Sequence, residues 1–104
     1  MMNFEFMNAP EFSASVKRDS APDESLPDEA KALWHAKKGN WEEAHNIAQE
    51  IHTPLGSWVH ALLHLIEGDQ GNANYWFHKA GKPSRKAAEI DALWEEIARK
   101  VLPS

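Results

Sequence analysis

The chain has 104 residues, 42% of them hydrophobic and 26% charged, which fits one ordinary globular domain. Its formal net charge of −5 argues against a nucleic-acid footprint and against an anionic membrane surface. The absence of cysteine excludes disulfides and thiolate chemistry, and no run approaches the roughly 18 apolar residues that a membrane-spanning helix needs.

The opening stretch, Met1-Met2-Asn3-Phe4-Glu5-Phe6, lacks the positive start and apolar run of a secretion signal, so a cytoplasmic protein is expected. Residues 1–26 mix Pro10 and Pro22 with Ser13, Ser15, Ser20 and Ser25 among charges. This pattern reads as an extended or disordered N-terminal segment. Phe4, Phe6 and Phe12 are the exceptions, and the alternating Phe4 and Phe6 suit a short strand or peptide in a groove of the same or a neighbouring chain.

Residues 27–102 read as a single all-α domain. Ala30, Leu33 and Trp34 have helical spacing behind Pro27, and Gly39 ends this helix after Lys37 and Lys38. Asn40 with Glu43 has the pattern of a capping box, and the helix that follows carries Trp41, Ala44, Ile47, Ala48 and Ile51 on one side. Thr53-Pro54 starts the next helix, which is apolar almost all round through Leu55, Trp58, Val59, Ala61, Leu62, Leu63, Leu65 and Ile66. Such a helix belongs at the centre of the fold. Gly68 stops it, and Asp69 caps a helix whose inner face is Ala73, Trp76, Phe77 and Ala80. Beyond Gly81 and Pro83, Ser84 is the expected cap of the last helix. Its inner face is Ala87, Ile90, Trp94, Ile97 and Val101, and its outer side offers Arg85/Glu89, Glu95/Arg99 and Glu96/Lys100 pairs. The dense group Lys82, Arg85 and Lys86 near that helix start reads as solvated rather than as a phosphate site.

An offset of 29 residues aligns the two helix pairs: Leu26 with Leu55, Ala32 with Ala61, Leu33 with Leu62, His35 with His64, Gly39 with Gly68, and Ala44 with Ala73. Small alanines allow close helix approach, and the glycines make the turns. With Gly68, Ala73-x-x-x-Phe77, Ala80 and Pro83, the chain resembles the tetratricopeptide repeat over about residues 26–83. The resemblance implies two antiparallel helix-turn-helix pairs closed by a C-terminal capping helix. His60 and His64 stand where that family usually has Leu and Tyr. The stretch from His60 to Trp76 is also similar to one in small uncharacterised proteins, a likeness that implies no activity.

At 100° per residue, Ser57, His60, His64 and Glu67 share one narrow stripe of the otherwise apolar helix, and buried polar groups there need partners. One reading is a divalent transition-metal site of the Zn, Fe or Ni type, with His60, His64 and Glu67 as ligands and His45 from the facing helix as a fourth. A second has the histidines as packing residues bonded across the helix pair, and a third is a polar ligand pocket or acid–base site without metal. The stripe lacks the Glu that follows the first His in zinc proteases, since Ala61 stands there, and Ser57 has no oxyanion-hole motif nearby. A catalyst is therefore the less expected outcome. Tyr75 either marks a contact surface or, as we expect, packs under the last helix or the N-terminal segment.

The leading functional expectation is a non-catalytic module that binds a peptide, a protein partner or a small ligand, with Ser57, Trp58, Leu62, His60, His64, Glu67 and Tyr75 as candidate contacts. The alternative is a metal-binding or hydrolase-type protein using His60, His64 and Glu67. A purely structural subunit is a third possibility. The end of the stack near Leu33 and Trp34 needs a cover, either the N-terminal tail or a second copy, so a homodimer is also expected.

Overall fold

In the computed structural model, residues 7–102 are described, and the strand expected around Phe4 and Phe6 lies outside them. The described part is all-helical: α1 (Ala9–Arg18), α2 (Asp28–Lys38), α3 (Trp41–Ala48), α4 (Pro54–Ile66), α5 (Gln70–Ala80) and α6 (Ile90–Val101).

Helix α1 corrects the expectation of an extended or disordered segment over 1–26. Asn8 caps it by accepting a hydrogen bond from the Glu11 amide at 3.0 Å, and Pro10 sits in the first turn, where its missing N–H costs nothing. Its apolar face is short, Ala9, Phe12 and Val16, and all three are buried. The Phe12 ring stacks on Trp94 of α6 with centroids 5.4 Å apart. Ser15 is buried with it and accepts the Trp34 indole N–H at 3.0 Å. From α2, the Lys38 ammonium donates to the Val16 and Asp19 carbonyls, closing the C-terminus of α1. Leu33 and Trp34 are consequently fully buried within one chain. The end from which a homodimer was expected is already covered by α1.

The two helix pairs turn in the same way. Gly39 and Gly68 have φ of +95° and +85°, which a side chain would strain. Behind them the Asn40 amide bonds the His35 carbonyl and the Asp69 amide bonds the His64 carbonyl, both at 2.9 Å and 29 residues apart in sequence. Within these two pairs, one cap differs from expectation. Asp69 does cap α5, through the Asn72 amide, but the Asn40 side chain makes no cap and instead bonds Nδ1 of His35 at 3.2 Å.

Helix α4 lies at the centre, in contact with α2, α3, α5 and α6, and nine of its residues from Gly56 to Leu65 are buried. Thr53 caps it through the Gly56 amide at 3.0 Å. Gly56 itself touches the incoming chain, where an added Cβ would meet Cγ2 of Ile51 at 2.5 Å.

Helix α6 begins later than the Ser84 cap implied. Lys86 is extended, a single 3-10 turn spans Ala87–Glu89, and the α-helix starts at Ile90. The buried face is accordingly Leu93, Trp94, Ile97 and Ala98, while Ala87 is exposed and Val101 half-buried. Of the three expected surface pairs only Arg85–Glu89 forms, at 2.8 Å. Glu96 is drawn to Arg85 at 2.7 Å and Glu95 to Lys37 at 4.0 Å, so both leave their expected partners on α6.

The position of Phe12 makes α1 part of the core. Phe12→Ala is expected to lower unfolding free energy in urea by about 3–4 kcal/mol, against under ~0.5 kcal/mol for the exposed Lys17→Ala on the same helix. Equal, small effects of the two would contradict the docked helix.

Candidate metal centre

The site grows from the polar stripe of α4. His60 and His64, one turn apart, lie with rings nearly parallel and 4.9 Å between centroids. Both are buried despite being polar. Helix α3 packs against α4 and brings His45 across, with its Nε2 3.0 Å from Nε2 of His60. One of these two imidazoles donates and the other accepts, so the pair shares a proton on the line between two potential ligand atoms. Together His45, His60 and His64 place one ring nitrogen each within 4.8 Å of one another. In a tetrahedral zinc site, nitrogens about 2.05 Å from the metal lie roughly 3.3 Å apart, so holding one ion would require the rings to close in and turn their lone pairs to a common point.

Glu67, expected as a ligand, takes a different place. Its Oε1 accepts the Nδ1–H of His64 at 2.6 Å, which fixes the His64 tautomer and leaves Nε2 with the lone pair. It stands behind His64 rather than beside the other imidazoles. Asp69 is close to the same pair, but its two oxygens are engaged by the amide and side chain of Asn72.

Two indoles wall the site. Trp76 of α5 stacks on His60 at 3.8 Å between centroids and 9° between planes. Trp41 stacks on His45 at 4.8 Å, stands edge-on to His64 at 6.2 Å, and is anchored by its N–H to the Leu63 carbonyl at 2.7 Å. Sequence spacing places both tryptophans on inner faces and so reads them as core. What distinguishes them is that each, besides packing against the core, stacks on a histidine, and only the packing of α3 and α5 against α4 reveals that.

The other expected contacts are not gathered here. Ser57 opens into a separate depression of about 260 Å³ lined also by Ile51, His52, Thr53, Pro54 and Lys79. Trp58 lies on the α6 side of α4, where the nearest cation is Lys82, and Leu62 is fully buried core rather than a binding face. Tyr75, expected to pack beneath another element, is 56% exposed, edge-on to Trp76 at 5.3 Å. The reason is rotation: with Ala73, Phe77 and Ala80 turned inward, position 75 faces out.

Burial is the main force on the charge state. It lowers the His60 pKa from its ordinary value to about 4, with His45, His64 and Lys79 adding to the shift. The His45 pKa is lowered too, first by burial, then by His64, with Glu67 opposing. At neutral pH His60 is therefore a neutral imidazole.

This depression fixes a stability trend. Between the unfolded value near 6.5 and about 4, the unfolded chain binds a proton at position 60 that the folded chain refuses. The His60 contribution to the stability of the metal-free protein is thus complete above about pH 6.5 and falls as pH drops toward 4. The loss assignable to His60 should be about 3 kcal/mol by pH 4, read from urea midpoints in chelator, and His60→Gln should flatten the profile over this range. A slope unchanged by that substitution would place the pH dependence elsewhere.

No protein-family model, curated protein or solved structure matches this chain, so what the site can do is set by its own geometry.

Proposed function

We propose that this protein is a non-catalytic, metal-binding helical module that holds a divalent transition ion through His45, His60 and His64, with Glu67 orienting His64. The observation that carries the reading is the convergence of one nitrogen from each of three histidines, drawn from two helices, within 4.8 Å. Three neutral nitrogen donors suit Zn, Cu or Ni better than Mg or Ca, which take oxygen ligands. The carboxylate–histidine contact behind one ligand is the arrangement that raises imidazole basicity in metal sites. A three-histidine set leaves a fourth position for water or for a donor from a partner. The exposed Tyr75, adjoining Trp76 over His60, is where a bound peptide or protein would reach the site's outer wall.

Binding of Zn(II) should be stoichiometric by calorimetry and should raise the thermal midpoint, with a stabilisation that grows about 1.4 kcal/mol for each tenfold excess of free metal over Kd. His60→Ala and His64→Ala should each abolish it, whereas Glu67→Gln, which removes only the orienting carboxylate, should weaken it about 10–100-fold. Because Trp41 and Trp76 stack on two of the ligands, Cu(II) should quench their fluorescence in the native protein and not in the His60 variant. Absence of stoichiometric metal together with an unchanged melting point would return the three histidines to a packing role.

A further inference from the structure

On the side of α4 that carries Trp58, a groove of about 500 Å³ runs between the α5–α6 connection and the outer face of α6. Its walls carry Lys82, Arg85, Arg99 and Lys100, with Glu96 the one acidic lining residue. Four cations around one groove are notable in a chain whose formal charge is −5. A second depression of about 270 Å³ shares Trp58, Lys82 and Lys100 with it and adds the apolar side chains of Pro54, Leu55 and Ala80.

The charge of this groove arises from the ion pairs that α6 does not make. Arg85 is held from two sides, by Glu89 at 2.8 Å and Glu96 at 2.7 Å, and is thereby satisfied. Glu95 turns to Lys37. Arg99 and Lys100 thus lose the carboxylates one turn before them, and among the described residues neither they nor Lys82 forms an ion pair. The Lys82 ammonium instead lies 4.4 Å above the Trp58 ring, a contact that holds the cation at the groove wall. Like charges gathered in a concavity concentrate the potential, and a counter-anion would relieve their mutual repulsion.

We propose that this groove binds a small amphipathic anion, with a carboxylate or phosphate head on Lys82, Arg99 and Lys100 and an apolar body over Trp58 toward Pro54, Leu55 and Ala80. The size lies within the roughly 300–1,000 Å³ of ordinary small-molecule sites, and a few converging polar groups beside an aromatic floor are their usual composition. The guanidinium of Arg99 suits either head, since both accept two parallel hydrogen bonds. The site shares no residue with the three histidines, so it stands or falls independently of the metal.

The test is titration of isotopically labelled full-length protein, in chelator, with hexanoate, hexyl phosphate, hexylammonium and inorganic phosphate, following the Trp58 indole N–H by NMR. Hexanoate or hexyl phosphate should give a saturable shift, and whichever binds tighter identifies the head. Hexylammonium and inorganic phosphate should bind at least tenfold more weakly, one lacking the charge and the other the apolar body. The exposed double variant Arg99→Gln/Lys100→Gln and the single variant Lys82→Gln should each weaken the tighter probe about tenfold while leaving the remaining spectrum in place. No shift up to about 10 mM, equal binding of hexylammonium, or unchanged affinity in both variants would overturn the proposal.

Discussion

Everything in this fold depends on α4 being enclosed. Packed against four others, this helix is buried at every position from Trp58 to Leu65, yet it carries His60 and His64 there. A buried imidazole must find partners inside the protein or destabilise it by several times the value of one hydrogen bond. Two partners come from neighbouring helices, His45 from α3 and Trp76 stacked from α5, and a third, Glu67, from the C-terminal cap of α4 itself. Among the described residues, no fully buried side-chain nitrogen or oxygen lacks a hydrogen bond. The same enclosure lowers the His60 pKa, so burial, ring stacking and charge state have one origin.

A domain this small buries a modest share of its surface, and its tryptophans compensate in two ways. Each adds a large apolar area, and three also tie elements together through the indole N–H: Trp34 to Ser15 of α1, Trp41 to Leu63 of α4, and Trp94 to Leu33 of α2. These bonds lock helices that are far apart in sequence. Helix α1 gains its place chiefly through this device. Its own apolar face is three residues long, but Phe12 stacks on Trp94 and Ser15 receives Trp34, so two indoles of the main body hold it.

The helices from α2 to α5 were legible because apolar period and punctuation agree: Gly39 and Gly68 where a positive φ is needed, Thr53-Pro54 and Asp69 where a helix starts. Helix α1 was not, because a ten-residue helix with only Phe12 and Val16 as large apolar residues has too weak a period to stand out from its serines and prolines. Its start signal, Asn8 before Pro10 and Glu11, was nevertheless present. In α6, local spacing pairs Glu95 with Arg99 and Glu96 with Lys100. Arg85 and Lys37, distant in sequence, compete for the same carboxylates and win, which no local rule anticipates. The histidine group was legible as a stripe, but the division of labour within it was not. Glu67 at i+3 from His64 can reach either a shared metal or the far side of the ring, and only the position of His45 decides between them.

In the proposed metal-binding reading, the burial of three imidazoles at this point has a chemical use. His60 stacks on Trp76 and, through burial, gives up protonation down to a pH of about 4. That loss has a chemical consequence. A metal competes with protons for imidazole nitrogen, and a site whose central ligand is neutral throughout the physiological range meets no such competition there. Burial therefore acts on His60 in opposite senses: it removes stability that water would have supplied to the charged ring, and it prepares the neutral ring as a donor. If a metal were held there, His45 and His60 would present Nε2 as donors, and the proton now between them would have to sit on Nδ1. The 3.0 Å contact between the two Nε2 atoms is close to the separation that two ligands of one metal would require.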